Sequence, residues 1–524
     1  MQERLMANTV KISQDGNLLV SRIPTLFRSE FESELSFFER EFLRGMEYRR
    51  ARQIGQPVVR MHRQACYTYD DSGLFCFRSG LKDRFVRKAK SLGLRVLIQQ
   101  IEKGQPKDRF QTDWPGVEEL LRELGYGGFR PGQRETLELI ASRENGCIDC
   151  PTGWGKTSTI LLARRLLPNA RFHVIVPSAS LLHSIYRESL RHFGSVGIVG
   201  GGKRILGENL TFFLSKSLHY SRFDADVVLG DECHTLTSER VAAVLANYDH
   251  CRMFGFSASL ERADGRHFIT EEMFGPVRLR ITYRQAVKDR SVVPVTVRWL
   301  NIECPNNWRD VDNREVFVRQ GIWRNDERNQ QFAAAAKEYF DQGRQVLICC
   351  RSLDHAVRFV RYLPDFVLVY KPDAMPETRL QAFRKAKLLP ADYRPLTPKT
   401  LAEIEQDFKE GKIRGAVATP LWDTGVDFRH LSVVVRPEAT VSKRLDIQVT
   451  GRGSRIIDGV KEEAILVDGW DGWDPRAEQW SNHRSSTYRR QHWKQIFPEA
   501  VAAAGRGDSR KVLRSRNLFK GEPQ

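Results

Sequence analysis

The sequence lacks most of what would mark a membrane, fibrous, secreted or disordered protein. No apolar run in its 524 residues approaches the ~20 that a membrane helix needs. Nine cysteines are too few for a disulfide framework at this length. Most lie in apolar stretches such as Val346-Leu347-Ile348-Cys349-Cys350, where a small buried thiol fits, so a reducing compartment is expected. Repeats and low-complexity tracts are missing. Hydrophobic residues make up 41% of the chain and charged residues 28%, which excludes disordered and collagen-like classes. Met1 to Val20 has no apolar centre of a signal-peptide kind, so the chain is expected to stay where it is made. Acidic residues are the scarce charge: 65 Asp and Glu against 83 Lys and Arg leave a formal net charge of +18. A polyanionic partner is favoured, nucleic acid ahead of a membrane surface.

The length accommodates about three domains. Cys66-Tyr67-Thr68-Tyr69 and Leu74-Phe75-Cys76-Phe77 flank Asp70-Asp71-Ser72-Gly73, a hairpin signal. A helix is predicted next, with Leu81, Phe85, Ala89 and Leu92 on one face, Arg84, Arg87 and Lys90 on the other, and Gly93 as its stop. A strand at Arg95-Val96-Leu97-Ile98 and a linker from Gln105 to Gly116 close this part. From about Val117, β-branched runs such as Phe172-His173-Val174-Ile175-Val176 alternate with amphipathic stretches, the pattern of an α/β chain with parallel sheets. The rhythm restarts near Gln345-Val346-Leu347-Ile348, which implies a second α/β lobe. His483 to Phe497 is predicted to form a terminal helix in a strongly basic tail that includes Arg484, Arg489, Arg490, Lys494, Arg510, Lys511, Arg514 and Arg516. The expected domains are 1–112, a small α+β domain; 113–287 and 288–475, two lobes; and 476–524, a basic helix and tail.

Cys147 to Ile160 reads as strand, Gly-rich loop, helix. Pro151, Thr152, Gly153, Trp154, Gly155, Lys156, Thr157 and Ser158 form the candidate phosphate loop. Gly153 and Gly155 let backbone N–H groups curl towards phosphate oxygens, Lys156 can reach the terminal phosphates, and the Thr157 hydroxyl can hold Mg²⁺. Cys150 stands where the general pattern has Gly. Cys147 and Cys150 have the spacing of metal ligands, but no second Cys or His pair accompanies them, so strand rather than zinc is expected. Val227-Val228-Leu229-Gly230-Asp231-Glu232 is a hydrophobic strand ending in two carboxylates. Asp231 is suited to Mg²⁺ or its waters, and Glu232 to orienting the attacking water. Loop and carboxylates together point to binding and hydrolysis of a nucleoside triphosphate.

Asp231-Glu232-Cys233-His234 is a DExH box, and Phe256-Ser257-Ala258-Ser259 resembles the Ser-Ala-Thr motif of superfamily-two helicases. Gln448-Val449-Thr450-Gly451-Arg452-Gly453-Ser454-Arg455 is similar to motif six of that family, and Trp422-Asp423-Thr424-Gly425-Val426-Asp427 to motif five. Phe129-Arg130-Pro131-Gly132-Gln133 resembles the glutamine motif. Ser257 to Arg266, Phe274-Gly275-Pro276 and Asn325-Asp326-Glu327-Arg328-Asn329 resemble the phage UvsW-like DNA helicase branch. Lys385 to Thr400 lengthens the second lobe beyond that pattern and is expected to be a solvated insertion, an extra loop over the DNA being the alternative.

The resemblance implies two tandem RecA-like lobes behind the small N-terminal domain, and ATP with Mg²⁺ as fuel. It assigns Arg130 and Gln133 to the adenine, Gly425 and Asp427 to the nucleotide, and Lys156, Asp231, Glu232, Gln448, Arg452 and Arg455 to catalysis. Arginine suits the last two positions because its planar guanidinium grips two phosphate oxygens at once. His234, Ser257 and Ser259 would couple nucleotide state to strand contacts. Ser178, Lys216, Arg351, Ser352, Thr419, Arg84, Arg87 and Lys90 are candidate DNA contacts, with helix caps and solvated charges as the plain alternatives. The implied activity is an ATP-dependent DNA helicase or translocase on duplex or branched DNA, in recombination, repair or fork processing. An RNA-directed enzyme and a translocase subunit of a nuclease complex are the alternatives. The implied setting is the cytoplasm of a bacterial or virus-infected bacterial cell.

Overall fold

The computed structural model describes residues 9–42, 47, 50, 51, 59–101, 107–142, 144–258, 260, 264–303, 313–422, 428, 430–439, 463–499 and 501. The chain divides into two compact units, Met1–Pro151 with Gly155–Thr282, and Tyr283–Gln524 with Thr152–Trp154.

The first unit opens with strands β1 (Thr9–Asp15) and β2 (Leu18–Ser21), followed by β3 (Ser36–Phe42), β4 (Val59–Ala65), β5 (Tyr67–Tyr69), β6 (Phe75–Arg78) and β7 (Arg95–Gln100). Five of them form a sheet in the order β5-β6-β2-β1-β7, while β3 and β4 pair separately as an antiparallel ribbon. The predicted hairpin is present. The Asp70 carboxylate accepts from Ser72 N and Leu74 N at 2.9 and 2.8 Å. The predicted helix runs over Lys82–Ser91 and buries Phe85 and Ala89. Phe85 stacks on Phe77 of the sheet, with ring centroids 4.7 Å apart.

This small α+β layer is bonded into the rest of its unit. The Asn17 amide donates to Tyr248 O and Cys251 O at 2.9 and 3.0 Å, and Arg78 Nη1 to Ala246 O at 2.8 Å. Gly16 has φ +58°, and a Cβ there would lie 2.1 Å from Asp249 O, so no other residue fits without moving backbone. The expected linker is largely ordered structure instead. Trp114–Glu123 is a helix whose N-cap, Asp113, accepts from Gly116 N at 3.0 Å. Pro115 sits in its first turn, where a missing N–H costs nothing, so Asp-Trp-Pro starts a helix rather than breaking one.

The large sheet of this unit contains β8 (Gly146–Asp149), β9 (Phe172–Val176), β10 (Gly197–Gly200), β11 (Lys203–Ile205), β12 (Leu210–Leu214), β13 (Val227–Asp231), β14 (Arg252–Ser257) and β15 (Val277–Arg280). Their order is β11-β10-β12-β9-β13-β14-β8-β15, parallel throughout except for the β10–β11 edge pair. Every residue of β9 and β13 is buried, as expected for strands covered on both faces. Parallel order brings the C-terminal ends of β8, β14 and β13 side by side, where the Gly-rich loop and the paired carboxylates emerge.

The second unit carries a parallel sheet of β16 (Val295–Asn301), β17 (Gln345–Cys349), β18 (Val367–Val369), β19 (Gly415–Ala418), β20 (Leu431–Arg436), β21 (Ala464–Trp470) and β22 (Lys494–Ile496), in the order β18-β19-β17-β20-β21-β16-β22. The α/β reading of both lobes therefore holds. Two details differ from expectation. Lys385 to Thr400 is not a solvated insertion: Leu388 and Leu389 are buried in the core, and the Tyr370 hydroxyl accepts from Leu396 N at 3.0 Å. Its apolar residues, more numerous than a solvated loop needs, seat it on that core. The basic C-terminal region is not one helix either. A helix spans Pro475–Arg490, after which β22 pairs with β16. Arg484 is fully buried against Asp468, so part of the basic character is internal. Arg510, Lys511, Arg514 and Arg516 lie outside the described residues. Among the described residues no helix is long and apolar enough to cross a membrane.

His173 on β9 meets the Tyr248 hydroxyl at 2.8 Å and the Ser221 hydroxyl at 3.3 Å. Burial pushes its imidazole down to about 4, although Asp224 pulls the other way. An unfolded histidine takes up a proton near pH 6.5 that the folded one refuses. The associated stability is complete above that pH and drains away as pH falls towards 4. The melting temperature should therefore drop by about 2–6 °C on this account between pH 7.5 and pH 5. His173→Gln should flatten that slope in a thermal-melt series, and equal slopes for both proteins would refute the assignment.

Candidate active site

β8 ends at Asp149, and the chain turns through Pro151 to Gly155 before entering the helix Lys156–Leu166. Gly155 caps that helix with φ +111°, a conformation that L side chains rarely adopt. A Cβ there would lie 2.9 Å from Ser158 Oγ, 3.2 Å from Gln133 Nε2 and 3.3 Å from Arg130 Nη1. The first N–H groups of the helix have no partners within it and face the loop, an arrangement suited to an anion. The Thr152 hydroxyl is buried without a hydrogen-bond partner. These features fit a phosphate group.

Lys156 joins the two halves of the motif. Its ammonium is hydrogen-bonded to Glu232 Oε1 and lies 4.0 Å from Asp231 Oδ1. Burial alone would push the lysine down, but the Glu232 and Asp231 carboxylates outweigh it and hold Lys156 well above its ordinary value. The amine is a full cation at every physiological pH. Asp231 is buried at the end of β13, and its carboxylate accepts from Glu232 N at 3.0 Å. Glu232 itself sits in the left-handed region at φ 48°, ψ 49°, a strained choice for a non-glycine residue. Thr235 holds it there, its N–H and its hydroxyl both donating to Glu232 O at 2.8 Å. Strain of this kind aims a side chain where relaxed backbone would not.

His234 Nδ1 and Ser257 Oγ are 2.6 Å apart, linking the turn after β13 to the end of β14. Ser257 O in turn accepts from Cys150 N at 2.9 Å, at the mouth of the Gly-rich loop. A bonded path thus runs from the DExH turn to the loop. Gln133 is wholly buried, with Oε1 accepting from Arg130 N at 2.8 Å and Nε2 donating to Thr159 Oγ1 at 3.2 Å. Thr159 Oγ1 donates to Gly155 O at 2.9 Å. Gln133 therefore braces the loop through Thr159, and Arg130 stacks 5.0 Å over Tyr126. The motif reading did not single out Thr159, Thr235 or Tyr126. The signal for Thr159 was its place one helical turn inside Lys156, facing the loop. Thr157 and Asp231 are the residues that would hold Mg²⁺.

Other predicted residues fare differently. Ser259, Gly425, Asp427, Gln448, Arg452 and Arg455 lie outside the described residues. Ser178 caps the helix Ala179–Leu190, accepting from Leu181 N at 3.3 Å, and Ser352 caps Leu353–Val360, accepting from His355 N at 3.1 Å. Thr419 N donates to Val369 O at 2.9 Å, Arg351 Nε lies 3.6 Å from Glu438 Oε2, and Lys216 is exposed. Arg84 is corrected as a DNA contact. It donates to Glu271 Oε2 at 2.9 and 2.7 Å and lies 4.5 Å over the Phe268 ring, so its charge is spent inside the unit. Arg87 and Lys90, on the same helix, are exposed.

Residues 126–262 match the family described as type III restriction enzyme, res subunit, and residues 331–457 match the helicase conserved C-terminal domain. The DNA 3'-5' translocase XPB2 of Sulfurisphaera tokodaii is 24% identical over 372 residues, covering 65% of this chain and 80% of that protein. Dbp5 of S. cerevisiae, solved bound to RNA and ADP BeF3, is 12% identical with a TM-score of 0.51, covering 78% of this chain and 98% of that one. UvsW of bacteriophage T4 is 17% identical with a TM-score of 0.39, covering 93% and 99%.

Glu232→Gln keeps the shape of the side chain and removes its charge. Hydrolysis of ATP should fall at least ~100-fold while binding of a fluorescent ATP analogue persists. Lys156→Ala should lose both. Unchanged turnover in Glu232→Gln would remove Glu232 from the reaction.

Proposed function

We propose, from the premise that this chain is a superfamily-two helicase built of a ResIII domain and a helicase conserved C-terminal domain, that it hydrolyses ATP to move along and separate DNA strands. The observation that carries this reading is the contact of Lys156 with Glu232 and Asp231 beside the Gly155 turn. Lys156 neutralises the terminal phosphates, and the amides at the start of its helix cradle them. Glu232, aimed by its strained backbone, orients the attacking water and accepts its proton. Mg²⁺ at Thr157 and Asp231 supplies positive charge to the phosphate oxygens when bound. Gln133 and Arg130 hold the adenine end, with Gly425 and Asp427 as further nucleotide contacts. Gln448, Arg452 and Arg455 supply the cations that meet the charge developing on the transferring phosphoryl group.

His234, Ser257 and Ser259 report nucleotide state to the residues that hold the strand: Ser178, Lys216, Arg351, Ser352 and Thr419. Their contacts fall on phosphates and read no sequence. The β3–β4 ribbon supports a role for the N-terminal domain in this binding. Cross-strand pairs Phe38–Arg63 and Arg40–Met61 make one face, on which Phe38 is 60% and Met61 50% exposed, with both arginines exposed. The acids are on the other face, where Glu39 pairs with Arg266 at 2.6 Å and Glu41 meets His62 at 3.0 Å. A surface of guanidinium, ring and thioether offers charge to phosphates and a stacking plane to bases. Arg87 and Lys90 add to the same charge. Branched or forked DNA in recombination, repair or fork processing is the setting we infer.

ATP turnover measured side by side with single-stranded, duplex, forked and four-way DNA, and with RNA, should be stimulated by DNA. Stimulation by RNA alone would overturn the DNA assignment. DNA affinity measured by fluorescence anisotropy should fall by a factor of ~10³ or more between ~50 and ~200 mM salt. A flat salt response would refute binding through phosphates.

A further inference from the structure

The second unit buries far more charge than its sheet needs. Arg328, Arg484, Asp468 and Asp471 all have side chains without solvent exposure. Arg328, at the start of the helix Asp326–Asp341, holds Asp471 in a fork, Nε to Oδ1 at 2.8 Å and Nη2 to Oδ2 at 3.1 Å. Arg484, on the helix Pro475–Arg490, donates from Nε to Asp468 Oδ2 at 2.9 Å and from Nη2 to Gly469 O at 2.7 Å. Each arginine then has one Nη1 left, and both are spent on main chain. Arg328 Nη1 donates to Pro437 O, and Arg484 Nη1 donates to Ala439 O.

Those carbonyls belong to the turn that leaves β20. The residues alongside them are held as well. Arg436 Nη1 donates to the Tyr488 hydroxyl at 2.9 Å, that hydroxyl donates to Asp468 Oδ2 at 2.7 Å, and Glu438 lies 3.6 Å from Arg351. Four consecutive residues, Arg436 to Ala439, are thus gripped from two helices, from the end of β21 and from the loop after β17. Ala439 has φ 56°, a left-handed non-glycine residue that persists only where its surroundings impose it.

Buried ion pairs are poor devices for stability, because well-packed apolar residues of the same volume do as well or better. What a guanidinium adds is direction: five donors in one rigid plane. Here that plane ties two aspartates to two alternate carbonyls of a single turn. The chain emerging from the turn continues into the segment with Gln448, Arg452 and Arg455.

We propose that Arg328 and Arg484 are positioning residues for ATP hydrolysis, fixing the path of the turn after β20 and so the placement of the segment that bears Arg452 and Arg455. This rests on the reading of Arg452 and Arg455 as phosphate cations. Both arginines act through backbone and touch neither nucleotide nor strand.

The test is Arg328→Lys in the full chain, which keeps one charge but cannot serve a carboxylate fork and a carbonyl in one plane. DNA-stimulated kcat should fall ~10–100-fold, the scale of a misplacement of about 1 Å, with KM for ATP and DNA affinity within about twofold of wild type. In an Arg452→Lys background, with its residual turnover, the same change should cost much less, because the misplaced group is already impaired. Tyr488→Phe, which keeps volume and removes one hydroxyl, should lower kcat several-fold with a near-normal melting temperature, and it carries the test if Arg328→Lys does not fold. Wild-type kcat in Arg328→Lys, or in Tyr488→Phe where that variant carries the test, overturns the proposal, as does an equal loss in both backgrounds. Wild-type kcat in Arg452→Lys sinks the reading beneath it and the proposal with it.

Discussion

The ammonium of Lys156 between two carboxylates is the interaction on which the functional part of this molecule turns. Three charges sit at the ends of β8 and β13, where burial makes each one costly alone. Together they are compatible, and they leave a cation and two carboxylates in one place. The parallel sheet supplies the juxtaposition, since β14 lies between β8 and β13 with all three running the same way. Residues 76 positions apart meet because strands align their C-terminal ends, not because the chain is locally folded.

Support for that site is built from short polar links rather than from apolar packing. Thr235 fixes the backbone of Glu232, Thr159 ties Gln133 to Gly155, and Ser257 bridges His234 to the loop through Cys150 N. Each link holds a side chain or turn at a set angle. Apolar contacts set distance well and angle poorly, whereas hydrogen bonds specify both. The same division is visible in the second unit. Its sheet is filled with Val, Leu, Ile and Trp, while the turn after β20 is held by arginine and aspartate. Polar groups are buried where a direction must be kept.

The N-terminal layer shows a related economy of charge. The inner face of the β3–β4 ribbon carries its acids, and Arg266 answers Glu39 there. Arg84 likewise answers Glu271. What remains for solvent is basic and aromatic, in Arg40, Arg63 and Phe38. The net charge of +18 is therefore an incomplete guide, because some of it is internal. Only position separates the arginines that hold the protein together from those that face a partner.

Much of this was legible in the amino-acid order. Alternating apolar runs and amphipathic stretches determined an α/β chain with two parallel sheets, and the Gly-rich loop and Asp231-Glu232 marked the ends that matter, because each is a local pattern with one physical reading. The Asp70 turn and the helix ending at Gly93 were local in the same sense. Three other features were not local and stayed hidden. Arg484 reads as a tail charge until Asp468 is found beside it, Lys385 to Thr400 as an insertion until Leu388 and Leu389 are seen in the core, and Arg84 as a nucleic-acid contact until Glu271 accepts from it. A basic side chain looks the same in sequence whether it faces water or a carboxylate. Tertiary structure decides between the two, because the cost of burying a charge depends wholly on which distant group is brought within a hydrogen bond of it.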